Sequence, residues 1–403
     1  MMLRLMVLFA LAGQPASAAS ISVSNAPLVA PEFPSVIDGH ADFAIHYLRR
    51  SWSVEAYDFE HEFPGQAGVS RWKTGGIDGA LVTVASDQEP GSGDHFPRVL
   101  ASLDWFDALV ARYPNSLVAA RTPSDFEAAH RAGKIALMPA IEGGEQLDGS
   151  LKNLSTAYRR GVRSILIVYD HHNDIGDGAM AMGQSAAIAA PAHGGLSRFG
   201  RKVIDEMNKL GIAIDLSHAA QSTALETIAE SRAPAIFTHS AARALADTPR
   251  NLSDRVLNEV AARGGLVMIP FVPYLTTTEH WHWWSAGEAR FAELTRLYPE
   301  DQARVSNAMS EWDASNPQPK VGVGDVANQI EYVAKIVGKD KVGIGSDFDG
   351  MDQFAVAGLQ DAAQLPKLLR ELSKRGWTRS ELEALARGNF LRVMADIQGA
   401  AQR

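Results

Sequence analysis

Hydrophobic and polar positions along this chain alternate between two periods. Short apolar runs rich in Val and Ile, typical of strands buried on both faces, are separated by longer segments with an apolar stripe at helical spacing. The runs are residues 36–42, 77–86, 134–144, 162–170, 212–218, 234–240, 265–271 and 342–350. Strands that alternate with helices predict a parallel sheet with helical crossovers.

The helical segments support a closed sheet. They are residues 95–114, 151–161, 198–211, 221–233, 253–265 and 326–338. Several stop at Gly, a common C-cap, and Ser253 and Asp254 stand where an N-cap is expected. Eight strand–helix repeats predict a (β/α)8 TIM barrel. An open doubly wound sheet is the alternative, but no glycine-rich phosphate loop follows the first run, so the barrel is favoured.

Three segments depart from the repeat. Residues 275–320 form a long aromatic-rich insertion after the seventh run, and the chain beyond residue 358 predicts two further helices. A short positive start, an apolar core and a small-residue cleavage pattern predict a signal peptide over residues 1–18. Its apolar run is too short to span a bilayer. We therefore expect one barrel domain over residues 19–403, exported to the periplasm or secreted, without a membrane anchor.

The amino-acid composition excludes some classes of binding partner but does not indicate which reaction the protein catalyses. The chain is 46% hydrophobic and 21% charged, as in ordinary soluble globular proteins, and has no Cys. A chain of this length buries enough apolar surface to fold without disulfides. The net charge of −9 and the lack of a basic patch make nucleic acid and anionic membranes poor partner candidates. The tryptophan-rich insertion is consistent with a lid or a homodimer interface.

Side chains able to bind metal follow several of the apolar runs. Active sites of TIM barrels lie at the carboxyl ends of the strands, where residues distant in sequence converge. The candidates there are His40, Asp42, Glu142, His218, His239, Asp347 and Asp349. Residues i and i+2 of a strand point to the same side, so His40 and Asp42 can hold one cation. The nitrogen and oxygen donors suit zinc, manganese or cobalt, and Glu142 is the natural bridge between two ions.

Each candidate also has a simpler interpretation. A single histidine at a strand end is more often a hydrogen-bonded structural residue than a ligand, and Asp347 and Asp349 could cap the following segment. Arg250 follows the sixth run by a short loop and could bind a substrate carboxylate, although a surface arginine is equally consistent with the spacing. The coincidence of several ligand-type side chains on one face favours the metal site.

The motifs DGHAD, IEGG, IDLSH, THS, RN and GSDFDG, in this order and spacing, resemble the renal (membrane) dipeptidase family, zinc peptidases of the M19 type. The resemblance extends over residues 36 to 395 and implies a metal-dependent amidohydrolase barrel with two zinc ions. It implies that His40 and Asp42 bind the first zinc, that Glu142 bridges, and that His218 and His239 bind the second. It further implies that Asp347 is the catalytic acid/base and that Arg250 binds the substrate carboxylate.

The sequence departs from the family pattern in four respects. Ala41 replaces an Asn that is not a ligand. The histidine that ends strand four in mammalian members corresponds to Tyr169, which can still donate a hydrogen bond, with His171 and His172 as substitutes. The insertion and the lack of a hydrophobic carboxyl tail differ from lipid-anchored forms.

The resemblance and the residues together predict a zinc dipeptidase in which a metal-bridging hydroxide attacks the peptide bond, and tolerance of a C-terminal D-residue. The alternatives are a related amidohydrolase acting on N-acyl amino acids, lactones or β-lactams, and an inactive peptide-binding barrel.

Overall fold

The computed structural model describes residues 32–50, 53–86, 95–179, 191–350 and 355–401. The predicted signal peptide, residues 1–18, lies outside the described residues.

A parallel barrel forms the centre of the molecule. Its strands are β1 (Val36–Ala41), β2 (Ile77–Ser86), β3 (Leu117–Ala119), β4 (Ile135–Glu142), β5 (Ser164–Leu166), β6 (Ala213–Asp215), β7 (Ile236–Phe237), β8 (Leu266–Ile269) and β9 (Val342–Ile344). They pair in the order β1-β2-β4-β5-β6-β7-β8-β9, and every pair is parallel. The predicted (β/α)8 fold class is therefore confirmed.

The ring closes where the end of β1 meets the segment that follows β9. His40 O accepts a hydrogen bond from Asp347 N at 3.1 Å, and Asp42 N donates to Phe348 O at 2.9 Å. The carboxylate of Asp38 reinforces this seam, since it accepts hydrogen bonds from Ser346 N at 2.7 Å and Ser346 Oγ at 2.5 Å. The first and last strands are thus joined at the level of the candidate metal ligands.

Helices surround the barrel and extend the carboxyl-terminal tail. They are α1 (Ala44–Arg50), α2 (Val69–Gly75), α3 (His95–Arg112), α4 (Pro123–Arg131), α5 (Leu151–Arg160), α6 (Arg198–Leu210), α7 (Gln221–Glu230), α8 (Asp254–Arg263), α9 (Pro273–Thr276), α10 (Thr278–Leu297), α11 (Gln302–Ser315), α12 (Val323–Val337), α13 (Pro366–Lys374), α14 (Arg379–Glu383) and α15 (Asn389–Ala400). Short 3-10 turns at Val54–Ala56, Gly144–Leu147, Lys339–Lys341 and Ala362–Gln364 and a π turn at Ala384–Gly388 complete the described elements.

The six helices predicted from periodicity are confirmed, and their ends follow local capping chemistry. Ser253 caps α8 by accepting a hydrogen bond from Val256 N, and Gly264 ends the helix in the left-handed conformation. Ser197 and Gly211 do the same for α6. These caps satisfy backbone groups that a helix end would otherwise leave unpaired.

The structure adds elements that the sequence pattern did not predict. The three-residue strand β3 pairs with the beginning of β4, outside the barrel path, and α4 follows it. The insertion over residues 275–320 is mostly helical, because α10 and α11 pack on each other through a small apolar cluster of their own. Of the helices in the part of the chain that the structure describes, none combines the length and the apolar character needed to cross a bilayer.

Candidate metal centre

Three imidazoles and a carboxylate converge at the carboxyl ends of the barrel strands. Glu142 ends β4, and its Oε1 lies 3.4 Å from His40 Nε2, 3.6 Å from His218 Nε2 and 3.5 Å from His239 Nε2. His218 and His239 follow β6 and β7, with their Nε2 atoms 3.0 Å apart. Asp42 Oδ1 lies 3.3 Å from the same nitrogen of His40, Nε2. The five predicted ligands thus form one cluster, every member of which is buried.

The surroundings of the three histidines favour a charged His40 but neutral His218 and His239. Burial opposes a charge on His40, but the carboxylates of Asp42 and Glu142 outweigh it and raise the pKa of His40 well above its ordinary value. Burial lowers the pKa of His239 well below its ordinary value, and burial followed by the Arg250 cation lowers the pKa of His218. Neutral imidazoles present a nitrogen lone pair, which is the form that binds metal.

Asp347 lies beside His40 and Asp42, so that one potential ligand atom from each falls within 4.8 Å of the others. Its backbone has φ 64°, a left-handed conformation that Asp tolerates better than most residues and that recurs at functional sites. Burial raises the pKa of Asp347 well above its ordinary value, and the negative charges of Asp42 and Glu142 add to this effect against that of His40. A carboxyl group in this environment retains a proton more readily than an exposed one.

Arg250 is buried beside the segments that follow β6 and β7. Its guanidinium donates hydrogen bonds to Ser217 O, to Ser240 Oγ at 3.2 Å and to His239 O at 3.2 Å. Among the described residues, no carboxylate lies within ion-pair distance of it. Since a buried cation without a paired carboxylate favours binding of an anion, this position fits the predicted contact with a substrate carboxylate.

The segment after β5 brings two side chains to the centre, of which the sequence pattern predicted one. The ring of Tyr169 stacks on that of His218, with centroids 4.4 Å apart and planes 27° apart. Burial raises the pKa of Tyr169 well above its ordinary value, so its hydroxyl keeps its proton. The unpredicted residue is Asp170, whose Oδ1 lies 2.9 Å from His218 Nδ1. Its place as the last residue of the run 162–170 was the available signal.

Two other carboxylates, also missed from the sequence, hold the strand ends that carry the imidazoles. Asp215 accepts hydrogen bonds from the backbone and hydroxyl of Ser217, at 3.0 and 2.6 Å, and from Thr238 N at 3.2 Å and Thr238 Oγ1. Asp38 has the same function at the seam between β1 and the segment after β9. Asp38 precedes His40 by two positions on a strand, a spacing that places both on one face.

Some candidates lie apart from the cluster. Asp349 accepts hydrogen bonds from Ala67 N at 3.0 Å and from Gln66 N at 2.6 Å, and His46 Nε2 lies 3.1 Å from it, so its contacts are structural. His172 Nδ1 lies 3.2 Å from Asp177 rather than among the ligands.

The donor set fits divalent zinc. Zinc bonds of about 2.0–2.2 Å to nitrogen and oxygen give tetrahedral edges of about 3.3–3.6 Å between neighbouring ligand atoms. The separations of Glu142 Oε1 and Asp42 Oδ1 from the imidazole nitrogens span 3.3 to 3.6 Å. In addition, Asp42 Oδ1 is buried and accepts no hydrogen bond from the residues that the structure describes. A buried carboxylate oxygen without a donor is the expected signature of a metal ligand.

A TIM barrel whose carboxyl mouth gathers three imidazoles and several carboxylates defines a metal-dependent hydrolase. The family model for membrane dipeptidases (peptidase family M19) matches residues 23–403. The chain therefore belongs to the membrane dipeptidase family, a family of metallopeptidases, and the predicted recognition and enzyme class are confirmed.

Individual relatives agree with this assignment. The dipeptidase aclJ of Aspergillus oryzae is 30% identical over 91% of this chain and 78% of its own length. The dipeptidase verJ of Clonostachys rogersoniana is 29% identical over 91% of this chain and 85% of its own length.

Solved structures support the same fold. The probable dipeptidase PvdM from Pseudomonas aeruginosa has a TM-score of 0.77 at 25% identity, with 91% of this chain and 96% of that chain covered. A metallo peptidase from Rhodobacter sphaeroides, described with a phosphinate mimic of the dipeptide L-Ala-D-Ala, has a TM-score of 0.73 at 22% identity, with 91% and 99% covered.

Proposed function

We propose that this chain hydrolyses dipeptides with two zinc ions held at the mouth of the barrel. The observation that carries the proposal is the convergence of His40, His218 and His239 on the single oxygen Glu142 Oε1, at 3.4 to 3.6 Å. His40 and Asp42 would hold the first ion, His218 and His239 the second, and Glu142 would bridge them. When bound, zinc lowers the pKa of water and polarises a carbonyl group.

The chain's own residues would orient the dipeptide and move its protons. Arg250, with its buried guanidinium, would bind the free carboxylate and thereby limit the length of the substrate. Asp347, next to His40 and Asp42, would deliver a proton to the leaving amine. Tyr169, stacked on His218, would donate a hydrogen bond from its hydroxyl group to the oxygen of the scissile carbonyl.

The substrate class follows from these positions. With Arg250 close to the residues that would hold the metal ions, the site would select a small molecule with a carboxylate close to an amide bond. The structural neighbour from Rhodobacter sphaeroides is described with a mimic of L-Ala-D-Ala, so dipeptides with a C-terminal D-residue belong in the substrate panel. N-acyl amino acids, lactones and β-lactams are the competing substrates, and peptide binding without turnover is the competing function.

Export and domain organisation are part of the same proposal. Residues 1–18 would act as a cleaved signal peptide, and residues 19–403 would form a single catalytic barrel in the periplasm or outside the cell. The aromatic-rich insertion would act as a lid or as a homodimer interface.

The test is a metal and substrate assay on the purified mature protein. We expect two zinc ions per chain and turnover of Gly-D-Ala or Ala-Ala well above that of N-acetyl amino acids. Removal of zinc with a chelator should abolish turnover, and adding zinc back should restore it. Preference for N-acetyl amino acids would favour the related amidohydrolase. Less than one zinc per chain, with no turnover after zinc is added, would instead favour a peptide-binding barrel.

A further inference from the structure

Asp170 contacts the candidate metal ligand His218 on the side away from the cluster. Its Oδ1 lies 2.9 Å from His218 Nδ1, whereas Glu142 Oε1 lies 3.6 Å from the opposite nitrogen, Nε2. The side chain of Asp170 is only 17% exposed. One face of the His218 ring is covered as well, by Tyr169. The imidazole is therefore held at one nitrogen and on one face before any ion is considered.

Backbone hydrogen bonds join the segments that carry Asp170 and His218, so the contact between these two residues is held in place. Ala179 N, at the end of the segment that begins with Asp170, donates to His218 O at 2.7 Å. Gly178 and Ala219 form an antiparallel bridge beside it. Because the two segments are joined to each other, Asp170 and His218 keep their relative position without depending on a flexible loop.

A carboxylate on Nδ1 determines which nitrogen of His218 has the lone pair. A carboxylate only accepts hydrogen bonds when ionised, so Nδ1 must carry the proton and Nε2 must present its lone pair to the cluster. The outer nitrogen of His239 has a neutral partner, because His239 Nδ1 lies 3.0 Å from the hydroxyl of Thr238, which donates its proton to Asp215 and can only accept from the imidazole. Both imidazoles are therefore held with Nε2 towards the cluster, but only His218 is held by a direct contact with a carboxylate.

The charge of Asp170 also offsets an unfavourable neighbour. The Arg250 guanidinium donates to Ser217 O and His239 O, which places a buried positive charge beside the segments that carry the two imidazoles. A positive charge at this position opposes cation binding, and a carboxylate on His218 compensates for it.

From this geometry we infer that Asp170 is a positioning residue, which fixes His218 as an Nε2 ligand and strengthens metal binding at the side of the centre formed by His218 and His239. The inference rests on the proposed function, since it assumes that His218 binds a metal ion.

The test compares Asp170→Asn with the wild-type protein. The zinc-loaded proteins are titrated with a chelator of known affinity, and the metal-free proteins are melted in parallel. We expect one of the two zinc ions to bind about 10- to 100-fold more weakly in Asp170→Asn, as is typical when a carboxylate partner of a metal-binding histidine is removed. Asp174→Asn is the matched control, because Asp174 is an exposed residue of the same segment and should leave both affinities unchanged.

Several outcomes would overturn the inference. Unchanged zinc affinity with a raised KM would show that Asp170 contacts the substrate instead. Unchanged zinc affinity with a lower melting temperature of the metal-free variant would show a purely structural role. If Asp170→Asn does not fold, histidine-selective 15N NMR of the zinc-loaded wild-type protein decides, since coordination of His218 through Nδ1 contradicts the inference. Failure of the proposed function would appear separately, as a wild-type protein that binds zinc but does not hydrolyse dipeptides.

Discussion

Asp215 should be worth more to this fold than any exposed carboxylate, because it links the strand ends that carry His218 and His239. Asp215→Asn keeps the shape of the side chain but removes its charge and replaces one acceptor oxygen with a donor. The four hydrogen bonds that Asp215 accepts come from the backbone and hydroxyl groups of Ser217 and Thr238. An amide can accept some of them, but its NH2 group must then face another donor.

The expected cost follows from these contacts. Hydrogen bonds to a charged group contribute about 1.5–3 kcal/mol each, and breaking a buried charged network costs about 3–5 kcal/mol. We therefore expect Asp215→Asn to lower the free energy of unfolding by about 4 kcal/mol. For a chain of 403 residues, with an unfolding entropy of about 2.1 cal/mol/K per residue, this lowers Tm by about 5 °C.

The assay is thermal unfolding of the metal-free protein, so that any loss of metal affinity does not contribute to the shift. Asp205→Asn is the matched control, because the Asp205 side chain is 54% exposed and pairs with Lys209 on the surface of α6. Its expected cost is below about 0.5 kcal/mol. A metal-free Asp215→Asn protein that melts within 1 °C of the wild type would refute the reasoning, since the network would then contribute little to stability.

Three further predictions concern the centre, the barrel interior and the insertion. Glu142→Gln should lower zinc content and dipeptide turnover. The loss should exceed the roughly 10- to 100-fold expected for a residue that only hydrogen-bonds to a metal ligand. A variant that still binds as many zinc ions per chain as the wild type would contradict the bridging role. Gly345→Ala should destabilise the protein by about 3 kcal/mol in urea unfolding, because an added Cβ would lie 1.7 Å from Thr238 O; unfolding at the wild-type urea concentration would contradict this close approach. His280 is fully buried, and burial lowers its pKa to about 4, below its ordinary value near 6.5. The unfolded chain therefore binds more protons between these values, so stability is present above pH 6.5 and is lost as the pH falls toward 4, by about 1–2 kcal/mol at pH 5. His280→Gln should reduce the difference in Tm between pH 7.5 and pH 5, and an unchanged difference would show that other groups cause it.

The barrel could be predicted because its signals are local and repeated. Each strand of the barrel path coincides with an apolar run, and helices such as α8 begin and end at the residues that capping chemistry favours. The strand β3 was missed because it has only three residues and lies outside the barrel path, where no alternation of strand and helix indicates it. Short elements of this kind depend on tertiary pairing rather than on local pattern.

The site was predicted in part for the same reason. The spacing of His40 and Asp42 predicted that they share a face, and the order of the motifs indicated the rest of the cluster. In the structure β1 ends at Ala41, and Asp42 lies directly after it with Oδ1 3.3 Å from His40 Nε2. Asp170 was missed because β5 ends at Leu166, so the period of two no longer fixes where side chains point. Asp215 was missed because its partners, Ser217 and Thr238, come from two different strand ends, and no local pattern indicates such a network.

The contact between β1 and the segment after β9, which closes the barrel, affects when the candidate metal centre can form. The backbone of Asp347 and Phe348 hydrogen-bonds to that of His40 and Asp42, so the residues that close the barrel include three whose side chains form part of the candidate metal centre. A chain that ended before residue 342 would lack both β9 and Asp347, and we expect it neither to close the barrel nor to bring Asp347 beside His40 and Asp42. The complete centre should therefore form only after the last barrel strand has been synthesised.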